Sequence, residues 1–192
     1  KNQGLAAALN AGLKISRNEL VARMDSDDVS LPERCEKQLI MFKKDAKLAL
    51  LGTGTYDFVN DITSAKLSVN PYPTDHEAIK KMLRRNNPFA HSTIMFKKSV
   101  VDVCGGYDPE LRRRQDYDLF SKMVSSGYRA ANLAEPLLYF RSDDCFMGRN
   151  KNKETCDARI AVQKRIYSRG ECSFFDYLYV WLAMKVSMIT PV

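Results

Sequence analysis

Three aspartates crowd into four residues at Asp25-Ser26-Asp27-Asp28, and the chemistry open to them is that of a hard cation site. Carboxylates this close repel one another unless a cation or strong hydrogen-bond donors offset their charge. Oxygen ligands at this density suit Mg²⁺ or Mn²⁺ rather than Zn²⁺, and a hard cation with open positions would in turn bind a diphosphate. A solvated loop ahead of a helix cap is the plainer role for the same residues. Their position directly after Leu20-Val21-Ala22-Arg23-Met24, which reads as a buried strand, favours the first role. Open α/β sheets bind ligands beyond the carboxyl ends of their strands.

Asp116, in Gln115-Asp116-Tyr117-Asp118-Leu119, falls where a helix begins. It fits an N-cap, accepting from free backbone N–H groups, and it fits a general base taking a proton from an attacking hydroxyl. His91, in Asn87-Pro88-Phe89-Ala90-His91-Ser92, precedes a strand and is either structural or part of a site. With His76 as the one other histidine and no nucleophile elbow, a Ser/His/Asp hydrolase has no support. Gly52-Thr53-Gly54 fails as a dinucleotide fingerprint, because the third glycine would fall at Asp57. The five cysteines are odd in number and form no CxxC pair, which suits a reduced, cytosolic compartment rather than a zinc site or disulfide framework.

The elements that must position these groups alternate. Leu5 to Leu13 has strong helix formers with apolar residues at 5, 9 and 13. Ser30-Leu31-Pro32-Glu33 has the pattern of a capping box and starts a helix with Cys35, Leu39 and Phe42 on one face. Leu48 to Thr53 reads as a strand, and Tyr56 to Val69 as a hairpin around Asn60-Asp61. Thr74-Asp75-His76-Glu77 caps a basic helix, Ser92 to Phe96 is a strand, and a short helix from Ser99 ends at Gly105-Gly106. Asp116 to Ser126 is helical with Leu119, Phe120 and Met123 inward. Strands at Tyr128 to Leu133 and Leu137 to Arg141 are followed by a basic helical region, Asn150 to Arg169, and an apolar helix, Phe174 to Ile189. The pattern is a mixed α/β domain.

The chain has 192 residues, 45% of them hydrophobic, and a formal net charge of +7. That is one compact domain with a sizeable core and a preference for anionic partners. The basic residues are dispersed and accompany no recognised nucleic-acid motif, which argues against nucleic acid as the partner.

Together the motifs resemble family 2 glycosyltransferases, the inverting group with the GT-A fold. Asn2-Gln3-Gly4 through Asn10-Ala11-Gly12 resembles the family's Asn-x-Gly helix, and Ala22 through Asp28 its metal-binding DxD strand end. Asn87 through Phe96 is similar to the segment leading to the acceptor side. Gly105-Gly106-Tyr107 followed by Gln115 to Leu119 is similar to the GGY…EDYDL block. The order and intervals agree over residues 2 to 141.

The resemblance implies a GT-A-like, Rossmann-like mixed sheet flanked by helices, truncated at its N-terminus, with residues 1–148 catalytic and 149–192 a helical extension. It implies Asp27 as direct metal ligand, with Asp25 in the metal shell or at the donor ribose. Asn2, Gly4, Arg23 and Asp28 would serve the nucleotide-sugar donor, and His91 and Arg141 would lie near its phosphates or the acceptor. Asp116 matches the catalytic base, Mn²⁺ or Mg²⁺ is the implied cofactor, and a saccharide or lipid-linked molecule the acceptor. Surface-polysaccharide or lipopolysaccharide assembly in the cytoplasm, at the inner face of the membrane, is the implied setting.

Two departures stand out: Gln115 replaces the usual Glu, and Ser142-Asp143-Asp144 replaces a stretch that often holds a metal-binding His. Either Asp143 or Asp144 substitutes, or the metal keeps extra waters. Residues 149–192, basic then apolar with Trp181 and several tyrosines, fit packing on the domain, a peripheral membrane contact or the start of a membrane span. A catalytically inert sugar- or partner-binding relative and a nucleotidyltransferase are the competing readings.

Overall fold

The computed structural model describes residues 3–67, 72–142 and 152–189. Asn2, Asp143 and Asp144, with the roles expected of them, lie outside the described residues.

Helix α1 (Leu5–Ile15) buries Ala6 and Leu13 and leads through a turn into β1 (Leu20–Ala22). After the acidic turn come β2 (Val29–Ser30), α2 (Arg34–Lys44) and the long strand β3 (Leu48–Phe58). β4 (Lys66–Leu67) folds back on the end of β3, pairing Tyr56 with Leu67, so the expected hairpin is present with a 3₁₀ turn at Ile62–Ser64. Then follow α3 (His76–Leu83), β5 (Met95–Lys97), α4 (Lys98–Val103), α5 (Gln115–Ser125), β6 (Arg129–Arg141), α6 (Lys153–Ser168) and α7 (Phe174–Ile189).

β3 is the axis of a six-stranded mixed sheet with the order β1-β5-β3-β6-β2. It pairs antiparallel with β5 and parallel with β6, and its first six residues are all buried. That continuous burial is what a strand covered on both faces requires. Gly52 of β3 has no room for a side chain, since a Cβ there would lie 2.2 Å from the Asn132 Oδ1. Asn132 uses that space to donate to the carbonyls of Pro73 (2.7 Å) and Pro88 (3.0 Å), tying two loops to the sheet. The glycine that failed as a nucleotide motif is thus a packing requirement.

Four expectations need correction. Residues 129–141 form one strand, not two, because Pro136, which has no N–H to give, sits opposite Gly54 at an irregularity in the ladder. β1 is three residues long and half-buried rather than a buried five-residue strand. Ser30 makes no capping box: it is held in β2 opposite Leu138, its hydroxyl bonds the Leu31 carbonyl, and α2 begins only at Arg34. The inward face of α2 is Arg34, Gln38 and Phe42, while Cys35 and Leu39 are exposed. Polar residues win this face because β3 and the loops beneath present backbone carbonyls that need donors. Gln38 Nε2 supplies two, to Leu51 (3.1 Å) and Thr93 (2.9 Å).

Helices α6 and α7 continue the domain's helical layer, with Val162 and Ile166 of α6 in the same core as Phe120 and Met123 of α5.

Candidate active site

The acidic turn is built from both sides. Arg23, 8% exposed, donates from Nη1 to Ser92 Oγ (3.1 Å) and from Nη2 to Asp25. Ser92 Oγ in turn donates to the other oxygen of Asp25 (2.8 Å). Arg34 reaches beneath, donating to the carbonyls of Arg23 (3.2 Å) and Ser92 (2.7 Å), so α2 locks the end of β1 against the segment before β5. A turn closed by Asp28 N–H on the Asp25 carbonyl (3.3 Å) then brings the three carboxylates together, with one ligand oxygen of each within 4.8 Å of the others.

Asp28 is the unusual member. It is 6% exposed, its Oδ1 accepts from the Arg141 N–H (2.8 Å), and its Oδ2 has no hydrogen-bond partner. Ser92 Oγ lies nearby, but its single proton points to Asp25. Burial, helped by the charges of Asp25 and Asp27, pushes the Asp28 carboxyl above its usual range. A buried oxygen without a donor beside two further carboxylates is the donor set of a hard divalent cation, so these residues fit one. Arg141 closes the turn from the end of β6, donating from Nε to the Asp27 carbonyl (3.0 Å) while its guanidinium lies 4.6 Å over the Phe58 ring.

Asp116 stands on the other side. The N-cap role is overturned: Arg114, at φ 64°, precedes the helix and Asp116 lies in its first turn. Its Oδ2 accepts from Asn87 Nδ2 (2.7 Å), and Asn87 is itself fixed by the Phe89 N–H on its Oδ1 (3.2 Å). Asp116 opens into a cavity of about 530 Å³ lined also by Tyr72, Asn87, Phe89 and Arg114. Burial together with the Asp57 and Asp116 charges pushes the Tyr72 hydroxyl up to about 12. Gln115, which stands in place of the family's usual Glu, is 5% exposed, so its neutral amide spares the helix start a second buried carboxylate beside Asp118.

His91 belongs to the segment whose Asn87 and Ser92 bond the two acidic groups. Its Nε2 is 2.9 Å from the Tyr107 hydroxyl and its ring packs edge-on to Phe120. Burial lowers its pKa to about 4 against the pull of both Asp116 and Asp25, so the imidazole is neutral at pH 7. Tyr107 is held by Asn10 of α1, which donates to its carbonyl (2.6 Å) and accepts from its N–H (3.0 Å). Gly106, at φ 69°, allows this approach, since a Cβ would meet Asn10 Oδ1 at 2.9 Å.

Of the residues singled out from sequence, the fold brings Arg23, Asp25, Asp27, Asp28 and Arg141 into one cluster, and the segment holding His91 bonds that cluster through Ser92 and Asp116 through Asn87. Gly4 stands apart, in a cavity it shares with Pro109, Leu111 and Arg112. Sequence reasoning missed the supports Asn10, Arg34, Gln38, Asn87 and Ser92. A signal existed for two of them: Arg34, Gln38 and Phe42 follow at steps of four, the spacing of one helix face.

The mixed sheet with an acidic turn at a strand end has the GT-A fold of glycosyltransferases. A mannosyltransferase from Pyrobaculum calidifontis, solved with GDP-Man and Mn²⁺, aligns over 98% of this chain and 52% of its own, with a TM-score of 0.63 at 15% identity. The chain belongs to glycosyltransferase family 2: the family profile "Glycosyl transferase family 2" matches residues 1–105. It is 29% identical over 192 residues to the amylovoran biosynthesis glycosyltransferase AmsE of Erwinia amylovora, spanning 100% of this chain and 71% of that protein. It is 31% identical over 194 residues to an uncharacterized glycosyltransferase of Haemophilus influenzae, spanning 100% of this chain and 70% of the relative.

Proposed function

We propose that the protein moves a sugar from a nucleotide-sugar to an acceptor hydroxyl with inversion, and that residues 1–148 carry the chemistry. The observation that supports this reading is that one short segment bonds both acidic groups, Asn87 donating to Asp116 (2.7 Å) and Ser92 to Asp25 (2.8 Å), with His91 between those two donors in the chain. Asp116 is the base. Asn87 occupies its Oδ2 and leaves the other oxygen to take the acceptor proton. As that proton leaves, the acceptor oxygen bonds the anomeric carbon from one face and the bond to the diphosphate oxygen breaks on the other. A positioned base contributes on the order of 10²–10⁴-fold in rate.

Asp25, Asp27 and the free oxygen of Asp28 would hold Mn²⁺ or Mg²⁺, which when bound supplies charge stabilisation worth several kcal/mol to a leaving diphosphate. Arg23 fixes Asp25, and Arg141 fixes the turn through Asp27 and Asp28, so the two arginines position the carboxylates. Neutral His91 holds the Tyr107 hydroxyl and excludes water between the two halves. The acceptor is a saccharide or a lipid-linked molecule, in surface-polysaccharide or lipopolysaccharide assembly at the cytoplasmic side of the membrane. The similarity to an amylovoran biosynthesis enzyme supports that setting.

The test is nucleotide release by the full-length protein from a panel of nucleotide-sugars, with and without Mn²⁺, beside Asp27→Ala. Release of one nucleoside diphosphate, dependent on Mn²⁺ and abolished by the substitution, is expected. Absence of turnover and of Mn²⁺ binding in the unsubstituted protein would leave a catalytically inert relative as the reading.

A further inference from the structure

Helix α7 does not follow the pattern of a helix lying on a domain. Such a helix turns one apolar face to the core and a polar face to water. Asp176 and Val180, 3% and 1% exposed, mark its inward face. Its outward face carries Phe175, Tyr179, Leu182 and Val186, at steps of four, three and four, and these are 75%, 57%, 49% and 59% exposed. At the rise of an α-helix the stripe is about 16 Å long. A continuous apolar stripe of this kind marks a contact surface, whereas scattered single residues do not.

The surroundings of the stripe define the chemistry of that contact. Arg84 and Arg85 reach over from the end of α3 to Asp176, both at 2.6 Å, and each side chain remains about half exposed (47% and 50%). The Arg85 guanidinium also lies 4.7 Å over the Tyr179 ring, and Lys185 lies 5.7 Å over Trp181. Lys81 and Met82 of α3 join Phe175 around a groove of about 680 Å³. Among the residues lining that groove or lying on α7, four cations therefore stand against one carboxylate, Asp176.

An apolar, aromatic-bearing stripe inside a cationic collar complements the surface of an anionic bilayer. The acyl boundary takes the side chains and the lipid phosphates meet the cations. α7 has 16 residues, and no helix among the described residues is long and apolar enough to cross a membrane.

We propose that the outer face of α7, with Lys81, Arg84, Arg85 and Lys185, is a docking surface for an anionic phospholipid bilayer. Met82 and Asn86 line both the groove and the cavity that holds Asp116. Docking would thus set the mouth of that cavity against the lipid surface, where a lipid-linked acceptor presents its hydroxyl. Only this last consequence rests on the proposed transferase reaction.

The experiment is co-sedimentation of the full-length protein with phosphatidylcholine vesicles, with and without phosphatidylglycerol, in the absence of donor and metal. Binding to the phosphatidylglycerol vesicles is expected, weakening several-fold as salt is raised. Tyr179→Ser with Leu182→Ser and Val186→Ser should weaken it at least about tenfold, since three inserted side chains are lost. Should that variant fold poorly by circular dichroism, Lys81→Glu with Lys185→Glu tests the same surface through its charge and should lose the anionic preference. A protein that stays in the supernatant with both vesicles, or variants that sediment as well as the wild type, would overturn the proposal. So would a lipid-free dimer that the serine variant dissociates, since a second copy would then cover this face. Nucleotide release on a soluble acceptor, measured without vesicles, reports on the transferase reading alone.

Discussion

Two sets of carboxylates sit in this domain under opposite conditions. Behind the sheet, Asp118 is fully buried and meets Lys122 and Arg169, each at 2.7 Å, while Asp176 holds Arg84 and Arg85 and takes a hydrogen bond from the Ser173 hydroxyl (2.6 Å). Each of these anions has two cations, and the Asp176 carboxyl is held well below its usual range by Ser173 and the arginines despite its burial. In the acidic turn the ratio is reversed. Of three carboxylates there, Asp25 pairs with Arg23, and Asp28 keeps a buried oxygen with neither a hydrogen-bond donor nor a cation in contact, whereas the Asp118 oxygen that likewise lacks a hydrogen bond has Lys122 at 2.7 Å. A buried anion paired with cations holds elements together, whereas one without a cation in contact is costly until a cation arrives. The difference separates structural carboxylates from those of a site, although all of them are the same residue type.

The largest effect is expected at the base: Asp116→Asn should lower turnover of the full-length enzyme by about 10²–10⁴-fold with its melting temperature nearly unchanged. Near-normal turnover would remove Asp116 from the mechanism. Asp118→Ala should do the reverse, destabilising the fold by about 1–3 kcal/mol in urea titrations, because Lys122 loses its anion and Arg169 keeps only Glu171. Its turnover per folded molecule should stay close to wild type, and a selective loss of activity would end the distinction drawn here.

His91 gives a pH signature. Its folded pKa of about 4 lies below the unfolded value of 6.5, so the unfolded chain binds the extra proton between those values. The stability this group allows is therefore complete above pH 6.5 and falls as pH drops towards 4, by at most about 3 kcal/mol. His91→Gln should flatten that part of the stability profile measured by urea melts at pH 7 and pH 5. The smallest effect is expected at Asp28→Asn. Removing one buried negative charge should raise the stability of the metal-free protein by about 1 kcal/mol. The same change should shrink the gain in melting temperature on adding Mn²⁺. A metal-free protein that loses stability instead would show that the turn already has its charge satisfied.

How far the sequence could be read depended on the range of the interactions involved. Asp75 was legible as the cap of α3 because its partner, the Ala78 N–H at 2.9 Å, is three residues away. The inward face of α5, with Leu119, Phe120 and Met123 all fully buried, was legible because helical periodicity is local. The face of α2 was not. Arg34 and Gln38 are inside because carbonyls 11 to 58 residues away in sequence need donors, and no local pattern contains that need. For the same reason Ser30 looked like a cap and became a strand residue.

What the sequence determined by itself was the alternation of helices and strands, the acidic turn at a strand end and the order of its motifs, since each is written in neighbouring residues. Tertiary structure alone decided which carboxylates are satisfied and which are not. Lys122 is a helix neighbour of Asp118, but Arg169, which also meets Asp118, and Arg84 and Arg85, which meet Asp176, come from elements far apart in the chain. Charge compensation is a property of distances in space, and only the folded sheet and its helices set those distances.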